Sequence, residues 1–120
     1  MLSIAMAVLL QIHGLIHILG FLVYCRIHDV EGLPYKTTLF FDKIRLGDSG
    51  IFWFGIAWLL AAISFVVVGI AFFFHPHWWK SAAIVVTLFS FIITLLGSPQ
   101  AKVGVVVNIF IMLYLLLIYP

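Results

Sequence analysis

Two histidines, His13 and His17, stand in the first apolar stretch of the chain and are the residues best suited to chemistry. On a helix that turns about 100° per residue, positions four apart differ by ~40°, so both imidazoles project from one face. Imidazole donates and accepts hydrogen bonds, changes charge near neutral pH and binds metals. The pair therefore fits a hydrogen-bonded lock between helices, a site for a polar ligand head or a proton relay, or a haem or metal site.

Polar residues in two later apolar stretches match the histidines in spacing and depth. Thr87, Ser90 and Thr94 recur at helical spacing in one stretch, and Asn108 lies in the next. Ser90, Asn108 and His17 lie six or seven residues from the same end of their stretches, or ~10 Å at ~1.5 Å per residue. Polar side chains at such depth in a bilayer normally face a bundle interior. We predict an intramembrane polar layer, and a possible ligand site, formed by His13, His17, Thr87, Ser90 and Asn108.

Small residues flank this layer and predict where the helices approach one another closely. Short side chains let helix backbones come together in membranes, where packing and interhelical hydrogen bonds hold the bundle. The predicted packing positions are Gly14, Gly20, Ala57, Ala61, Ser64 and Gly104.

Metal and cofactor chemistry finds little support in the residues around the two histidines. No Asp, Glu or Cys accompanies them within the apolar stretches. Haem held by two histidines also needs imidazoles from opposite sides, which a same-face pair does not provide. We predict no metal site, with His13 and His17 as the only candidate ligands, and no cofactor, with haem or quinone as alternatives. Motifs for nucleophilic catalysis and phosphate binding are missing, which favours a protein without enzymatic activity.

The composition places the chain in a lipid bilayer. Of its 120 residues, 66% are hydrophobic and 8% are charged, whereas soluble domains carry about 25% charged residues. The formal charge of +2 is too small to indicate a nucleic-acid partner. A single cysteine, Cys25, excludes an intrachain disulfide.

Four apolar stretches approach the ~20 residues that a helix needs to cross ~30 Å of hydrocarbon. The predicted helices cover about 2–24, 49–74, 80–97 and 102–119. Because backbone groups in lipid must pair internally, helices are the only spanning structure that 120 residues allow. The predicted fold class is all-α, an integral membrane four-helix bundle with up-down-up-down topology, and residues 1–120 form one transmembrane domain.

The connections differ in length and charge. Connection 25–48 is long, and its run 39–46 mixes apolar with charged residues, which predicts either a short interfacial helix or an irregular polar loop. In the last connection, Gly97 is predicted to end the third helix, Ser98 to cap the fourth, and Pro99 to open it.

The distribution of basic residues predicts the orientation. Lys80 is the only basic residue on one side, and five lie in or beside the two connections on the other: Arg26, Lys36, Lys43, Arg45 and Lys102. Loops rich in Lys and Arg stay in the cytoplasm. We therefore predict that loops 25–48 and 98–101 are cytoplasmic and that both termini lie outside.

The first helix resembles that of a group of bacterial membrane proteins. The segment His13-Gly14-Leu15-Ile16-His17-Ile18-Leu19-Gly20-Phe21 resembles the opening helix of small, mostly uncharacterised four-helix proteins, whose layout is similar to that of the DoxX-like group. The resemblance covers nine residues and the four-span arrangement. It implies a bundle in the bacterial inner membrane and transfers no catalytic residue. Some DoxX-like proteins are linked to oxidoreductase or quinone-coupled systems.

Three hypotheses about function follow from these features. The favoured one is a non-catalytic accessory or structural subunit, which packs against larger membrane proteins or further copies of itself. The second is a binder or carrier of a hydrophobic molecule such as a quinone or lipid, with His17 and Asn108 at its cavity. The third is a redox component with haem on His13 or His17.

Overall fold

The structure is a computed structural model that describes residues 2–119, with side chains from residue 4 onward. In this part of the chain four α-helices account for most residues, and a two-stranded hairpin lies in the long connection. The helices are α1 (Leu2–Tyr24), α2 (Gly47–Ala71), α3 (Trp79–Leu96) and α4 (Lys102–Leu113). A 3₁₀ turn, Phe72–Phe74, extends α2, and a π-helical segment, Tyr114–Ile118, extends α4.

Three of the helical spans are long and apolar enough to cross a membrane. They are Ile4–Tyr24, Gly47–Phe74 and Trp79–Leu96, and a shorter apolar span, Lys102–Ile118, follows. Large apolar side chains such as Leu60 on α2 are exposed along the outer faces of the helices. Length, composition and this exposed apolar surface together indicate a membrane location.

Consecutive helices pack antiparallel. Gln11 near the start of α1 donates a hydrogen bond to the carbonyl of Val66 late in α2 (3.2 Å), while Cys25 after α1 lies against Phe52 early in α2. On the other side of the bundle, Ser90 of α3 bonds to Asn108 of α4. The molecule measures 42 × 23 × 23 Å, as expected for a short bundle of helices lying side by side.

Two apolar clusters fill the two ends of the bundle. One combines the start of α1 with the end of α2, the start of α3 and the end of α4, and includes Leu10, Phe65, Phe72, Trp79 and Leu115. The other surrounds the end of α1 and the start of α2, and includes Tyr24, Ile51, Phe54, Trp58 and Ile93. Buried polar residues lie between the two clusters, so the interior has three layers.

The run 39–46 forms neither an interfacial helix nor an irregular loop. Strand β1 (Thr38–Leu39) pairs antiparallel with β2 (Ile44–Arg45), and the tip between them docks on the end of α3. The backbone N–H groups of Phe40 and Phe41 donate to the carbonyls of Leu96 (2.6 Å) and Ser98 (3.0 Å). A helix end leaves its last carbonyls without partners, so the hairpin satisfies a carbonyl at the end of α3 and one just after it.

The turn between α3 and α4 also differs from the prediction. Gly97 ends α3 as predicted, but α4 begins at Lys102, with Ala101 before it and no side-chain cap. The Ser98 hydroxyl instead donates back to the carbonyl of Thr94 (3.0 Å), and the Ser98–Pro99 peptide bond is cis. Ser98 and Pro99 therefore complete the end of α3 and do not open α4.

Candidate ligand site between α1 and α4

His17 is held by hydrogen bonds from both of its ring nitrogens. Nδ1 lies 2.7 Å from the backbone carbonyl of His13, and Nε2 lies 2.6 Å from the Ser90 hydroxyl. A carbonyl only accepts, so Nδ1 carries the proton. In the neutral ring Nε2 then accepts from the hydroxyl of Ser90. This arrangement fixes the tautomer of His17 and joins α1 to α3.

Asn108 connects three buried polar side chains, those of His13, Ser90 and Thr94. Its Oδ1 accepts a hydrogen bond from Nε2 of His13 (3.0 Å), and its Nδ2 donates to the hydroxyls of Ser90 (2.9 Å) and Thr94 (3.3 Å). His13 is therefore the opposite tautomer from His17, with its proton on Nε2. One amide thus links α1, α3 and α4.

The network is enclosed by protein and contacts aromatic rings of α2. His13, His17, Ser90, Thr94 and Asn108 are all buried. The two imidazoles meet edge to face, with centroids 4.6 Å apart and planes at 89°. Phe65 packs 5.0 Å from the ring of His13, and Trp58 packs 5.1 Å from that of His17. Because α2 contributes only aromatic surface here, the polar groups must satisfy one another.

Two glycines of α1 bring α2 close enough to make these contacts. A Cβ added at Gly14 would lie 2.6 Å from Cβ of Phe65, and one added at Gly20 would lie 2.4 Å from the ring of Trp58. Both distances are shorter than atoms in contact allow. The absent side chains therefore permit the aromatic residues of α2 to lie against the histidines of α1.

The remaining predicted residues lie close to the layer but outside its hydrogen bonds. Thr87 is buried, yet its hydroxyl donates to the carbonyl of Ala83 in its own helix (2.7 Å). On α2, Ala61 is fully buried, while Ala57 and Ser64 are half-buried. Gly104 of α4 faces a methyl group of Thr94, where an added Cβ would lie 2.9 Å away.

Two residues of the site were left out of the predicted layer. Thr94 accepts from Asn108, and the sequence already placed it at helical spacing with Thr87 and Ser90. Trp58 lies against His17, and nothing in its sequence neighbourhood distinguishes it from the other aromatic residues of α2.

A cavity of about 240 Å³ opens beside this network, between α1 and α4. Its floor is formed by His13, His17, Trp58 and Thr94. Its apolar walls come from both helices and consist of Ile16, Leu19, Val103 and Val107. Loop residues 30–33 cover the end nearest the hairpin. We call this cavity the α1/α4 cleft.

The cleft opens to the side of the bundle. Three of its wall residues also lie on the outer surface, where Ile16 is 52%, Leu19 39% and Val103 69% exposed. The backbones of α1 and α4 approach each other at few positions, and the hydrogen bond between His13 and Asn108 joins the two helices beside the cleft. A molecule in the surrounding lipid therefore has a lateral path to the polar layer.

The cleft contains little charge. Among the described residues that line it, Glu31 of the covering loop is the only one with a formal charge, and no Lys or Arg is present. The deep end therefore offers uncharged imidazole, hydroxyl and indole groups to an occupant.

Two polar atoms of the cleft residues have no partner. Nε1 of Trp58 is buried without an acceptor, the only buried side-chain polar atom of the described residues in this condition. Nδ1 of His13 also forms no hydrogen bond within the described part of the chain, but it keeps some accessible surface. An unsatisfied buried group in a folded protein calls for an explanation, such as a water molecule or a ligand.

The hydrogen bonds of the two histidines disfavour metal ligation by both of them. In the part of the chain that the structure describes, no three His, Cys, Asp or Glu side chains come together. Both ring nitrogens of His17 are already in hydrogen bonds. His17 would have to give up Ser90 to bind a metal or haem iron, whereas Nδ1 of His13 is free.

Comparison with protein-family models, with curated proteins and with solved structures found no match to the chain. The resemblance of the first helix to DoxX-like proteins therefore stays a prediction.

Proposed function

We propose that this protein is an integral membrane protein that binds a membrane-soluble molecule in the α1/α4 cleft. The polar head of that molecule lies against His13 and Trp58, and its apolar part extends through the side opening into lipid. The observation that carries the proposal is an open, apolar-walled cleft whose lining includes His13, a buried histidine with one ring nitrogen without a partner. Ligand sites typically combine apolar walls with a few convergent polar groups.

The other two hypotheses gain less from the geometry. Exposed apolar side chains on the outer faces are what any bundle needs in lipid, so they do not favour an accessory subunit over a protein that works alone. That hypothesis, with a larger complex or homo-oligomer as partner, stays a prediction. A haem-bound redox component would require one of the histidines to bind iron, and His17 is already engaged on both sides.

The proposal includes a location in the bacterial inner membrane with the hairpin end in the cytoplasm. Supporting this, the hydrogen bonds between the hairpin and the end of α3 bring loops 25–48 and 98–101 to one end of the bundle. That end carries five of the six basic residues, and Lys80 at the other end bonds to the carbonyl of Tyr119. Under the positive-inside rule both termini then lie outside.

Native mass spectrometry of gently extracted protein tests the binding proposal. We expect a bound non-protein mass on the wild type, which disappears in Val107→Phe because the larger ring fills the cleft. Val106→Phe is the matched control, since Val106 is the neighbouring exposed residue and does not line the cleft. The same spectra report protein partners and copy number.

Two results would contradict the proposal. One is the absence of any bound small molecule from the wild-type protein extracted directly from its native membrane. The other is an equal amount of bound molecule in the Val107 and Val106 variants, which would place the site elsewhere. A stoichiometric larger membrane protein in the spectra would instead favour the accessory-subunit hypothesis.

A further inference from the structure

We propose that the α1/α4 cleft selects a neutral head group that bears a hydroxyl. The O–H of the ligand donates a hydrogen bond to Nδ1 of His13. Phenols and long-chain alcohols share this chemistry. The inference rests on the proposed function and adds to it the chemical class of the ligand.

The acceptor in the cleft follows from the hydrogen bonds of the network. Asn108 Oδ1 accepts from Nε2 of His13, which leaves Nδ1 of that ring with a lone pair and no proton. Nδ1 has no partner and keeps accessible surface. A ligand atom that meets this nitrogen must therefore donate a hydrogen bond. A carbonyl or an ether oxygen lacks the hydrogen to do so.

The indole of Trp58 lines the cleft with ring atoms and does not offer its N–H. Its ring packs 5.1 Å from the ring of His17, and Nε1 is buried without an acceptor and with almost no accessible surface. An occupant of the cleft therefore does not reach Nε1, and Nδ1 of His13 sets the chemistry of the head. A hydroxyl supplies the hydrogen that this nitrogen needs and carries no charge.

Charge and size agree with a small neutral head. A charged head needs an opposite charge where it is buried, and the floor of the cleft carries none. Glu31 at the covered end also repels phosphate and carboxylate heads. The volume of about 240 Å³ lies below the ~300–1,000 Å³ of sites that enclose whole ligands. The cleft therefore holds the head and leaves the tail in lipid.

A series of probes with one alkyl tail and different heads tests the selection. A radiolabelled alkylphenol is equilibrated with the wild-type protein in nanodiscs of zwitterionic lipid, and empty nanodiscs give the background. The competitors are the unlabelled phenol, its methyl ether, the alkanol and the fatty acid. We expect the phenol or the alkanol to compete about threefold to tenfold more effectively than the ether, as for one neutral hydrogen bond. The fatty acid should compete least.

The same series distinguishes a phenol from an aliphatic alcohol as the source of the hydroxyl. It also tests the hydroxyl inference separately from the proposed function. Stronger competition by the phenol than by the alkanol indicates an aromatic head, and the reverse indicates an aliphatic alcohol. Equal competition by the methyl ether, stronger competition by the fatty acid, or no saturable binding of the phenol would overturn the hydroxyl inference. The proposed function then depends only on the bound mass in native spectra, which does not use these probes.

One variant assigns the partner of the hydroxyl. His13→Phe keeps an aromatic ring and removes Nδ1, so it should weaken competition by the phenol and leave that by the ether unchanged. His77→Phe, in the exposed turn before α3, is the matched control and should change neither. Loss of phenol preference in both variants, or in neither, would contradict the assignment, and the wild-type series decides even where a variant fails to fold.

Discussion

Asn108 is the side chain on which three helices converge, and its amide group uses three of its hydrogen-bonding positions there. Interhelical hydrogen bonds in membranes contribute roughly 0.6 kcal/mol each on average. Removing one partner costs more than this, because the groups left behind are buried and unsatisfied. The Nε2–H of His13 would be left in that state, while the Ser90 hydroxyl would lose one hydrogen bond and keep the other, to His17.

We therefore expect Asn108→Leu, which keeps the side-chain volume, to lower the free energy of unfolding by about 1–3 kcal/mol. Thr87→Val is the matched control. Thr87 is equally buried, but its hydroxyl bonds only within α3, so its loss should cost under about 1 kcal/mol. Unfolding by SDS in mixed micelles measures both variants. Equal effects of the two substitutions would mean that the layer does not act as a connected network.

Depth and spacing in the sequence identified most of the polar layer, for a physical reason. A polar residue in lipid must find partners at its own depth, so counting residues from one membrane edge brought together His13, His17, Ser90 and Asn108. The same counting included Thr87, because it does not tell whether a threonine bonds to a neighbouring helix or to its own. Trp58 was missed because its contact with His17 depends on the close packing of α2 on Gly20 of α1, which no local pattern contains.

Among the helices, the contact of α1 with α2 depends on glycine. We expect Gly14→Ala to lower the free energy of unfolding by about 1–3 kcal/mol, as overpacking does. The new Cβ would meet Cβ of Phe65 at 2.6 Å and the backbone carbonyl of Ala62 at 3.2 Å, and neither can turn aside. SDS titration in mixed micelles again provides the measurement.

Gly104→Ala is the comparison for this prediction. Its new Cβ would meet a terminal methyl group of Thr94 at 2.9 Å, and a side chain moves more easily than a backbone. We expect a cost of at most about 1 kcal/mol. A larger loss for Gly104→Ala than for Gly14→Ala would show that the α1–α2 contact is not the tightest one.

The hairpin carries a charge interaction that depends on pH. The hydrogen bond from Lys36 (2.8 Å), and a second from the Thr38 hydroxyl (2.6 Å), hold the pKa of Asp42 below its usual value. This contribution to hairpin stability is present above the usual carboxyl pKa and disappears as the pH falls through the lowered one. Because Asp42 is exposed, solvent screening keeps the effect small.

We expect Lys36→Met to raise the pKa of Asp42 toward the usual ~3.9, whereas Lys43→Met, which removes a lysine outside the ion pair, should leave it unchanged. Carbon-13 NMR titration of the carboxyl group in micelles measures both. If the pKa of Asp42 does not change in Lys36→Met, or changes equally in Lys43→Met, this ion pair does not form in solution.

Hydrophobic length predicted the helices better than the connections. The bilayer forces any long apolar stretch to pair its backbone internally, so the existence of four helices follows from composition. The hairpin and the turn at Ser98 depend on the end of α3, whose free carbonyls both segments satisfy. For the hairpin, that dependence joins segments more than 50 residues apart, and no local pattern contains it.

For the whole molecule, the charge difference between the two ends predicts the orientation. In a Cys25→Ala background, we expect Lys43→Cys to react with a membrane-impermeant maleimide only after the cells are permeabilised. Lys80→Cys, at the opposite end, should react in intact cells. The reverse pattern would contradict the cytoplasmic position of the hairpin, and reaction of both residues in intact cells would contradict a spanning bundle.

The open side of the bundle gives the molecule its proposed role. Glycines close α1 onto α2, while α1 and α4 are joined by one side-chain hydrogen bond and leave the cleft open between them. Because of this asymmetry, His13 lies between the polar network and the cleft. One of its ring nitrogens is in the network and the other has no partner. A bundle closed on all sides would bury both nitrogens and offer nothing to a lipid-soluble molecule.

Nitrogen-15 NMR of the histidine side chains in nanodiscs tests this claim most directly. At neutral pH we expect His17 to carry its proton on Nδ1 and His13 to carry its proton on Nε2, with Nδ1 of His13 unprotonated. The chemical shift of that single nitrogen should move when an alkylphenol is added. Identical tautomers for the two histidines, or a proton on Nδ1 of His13, would contradict both the network and the site beside it.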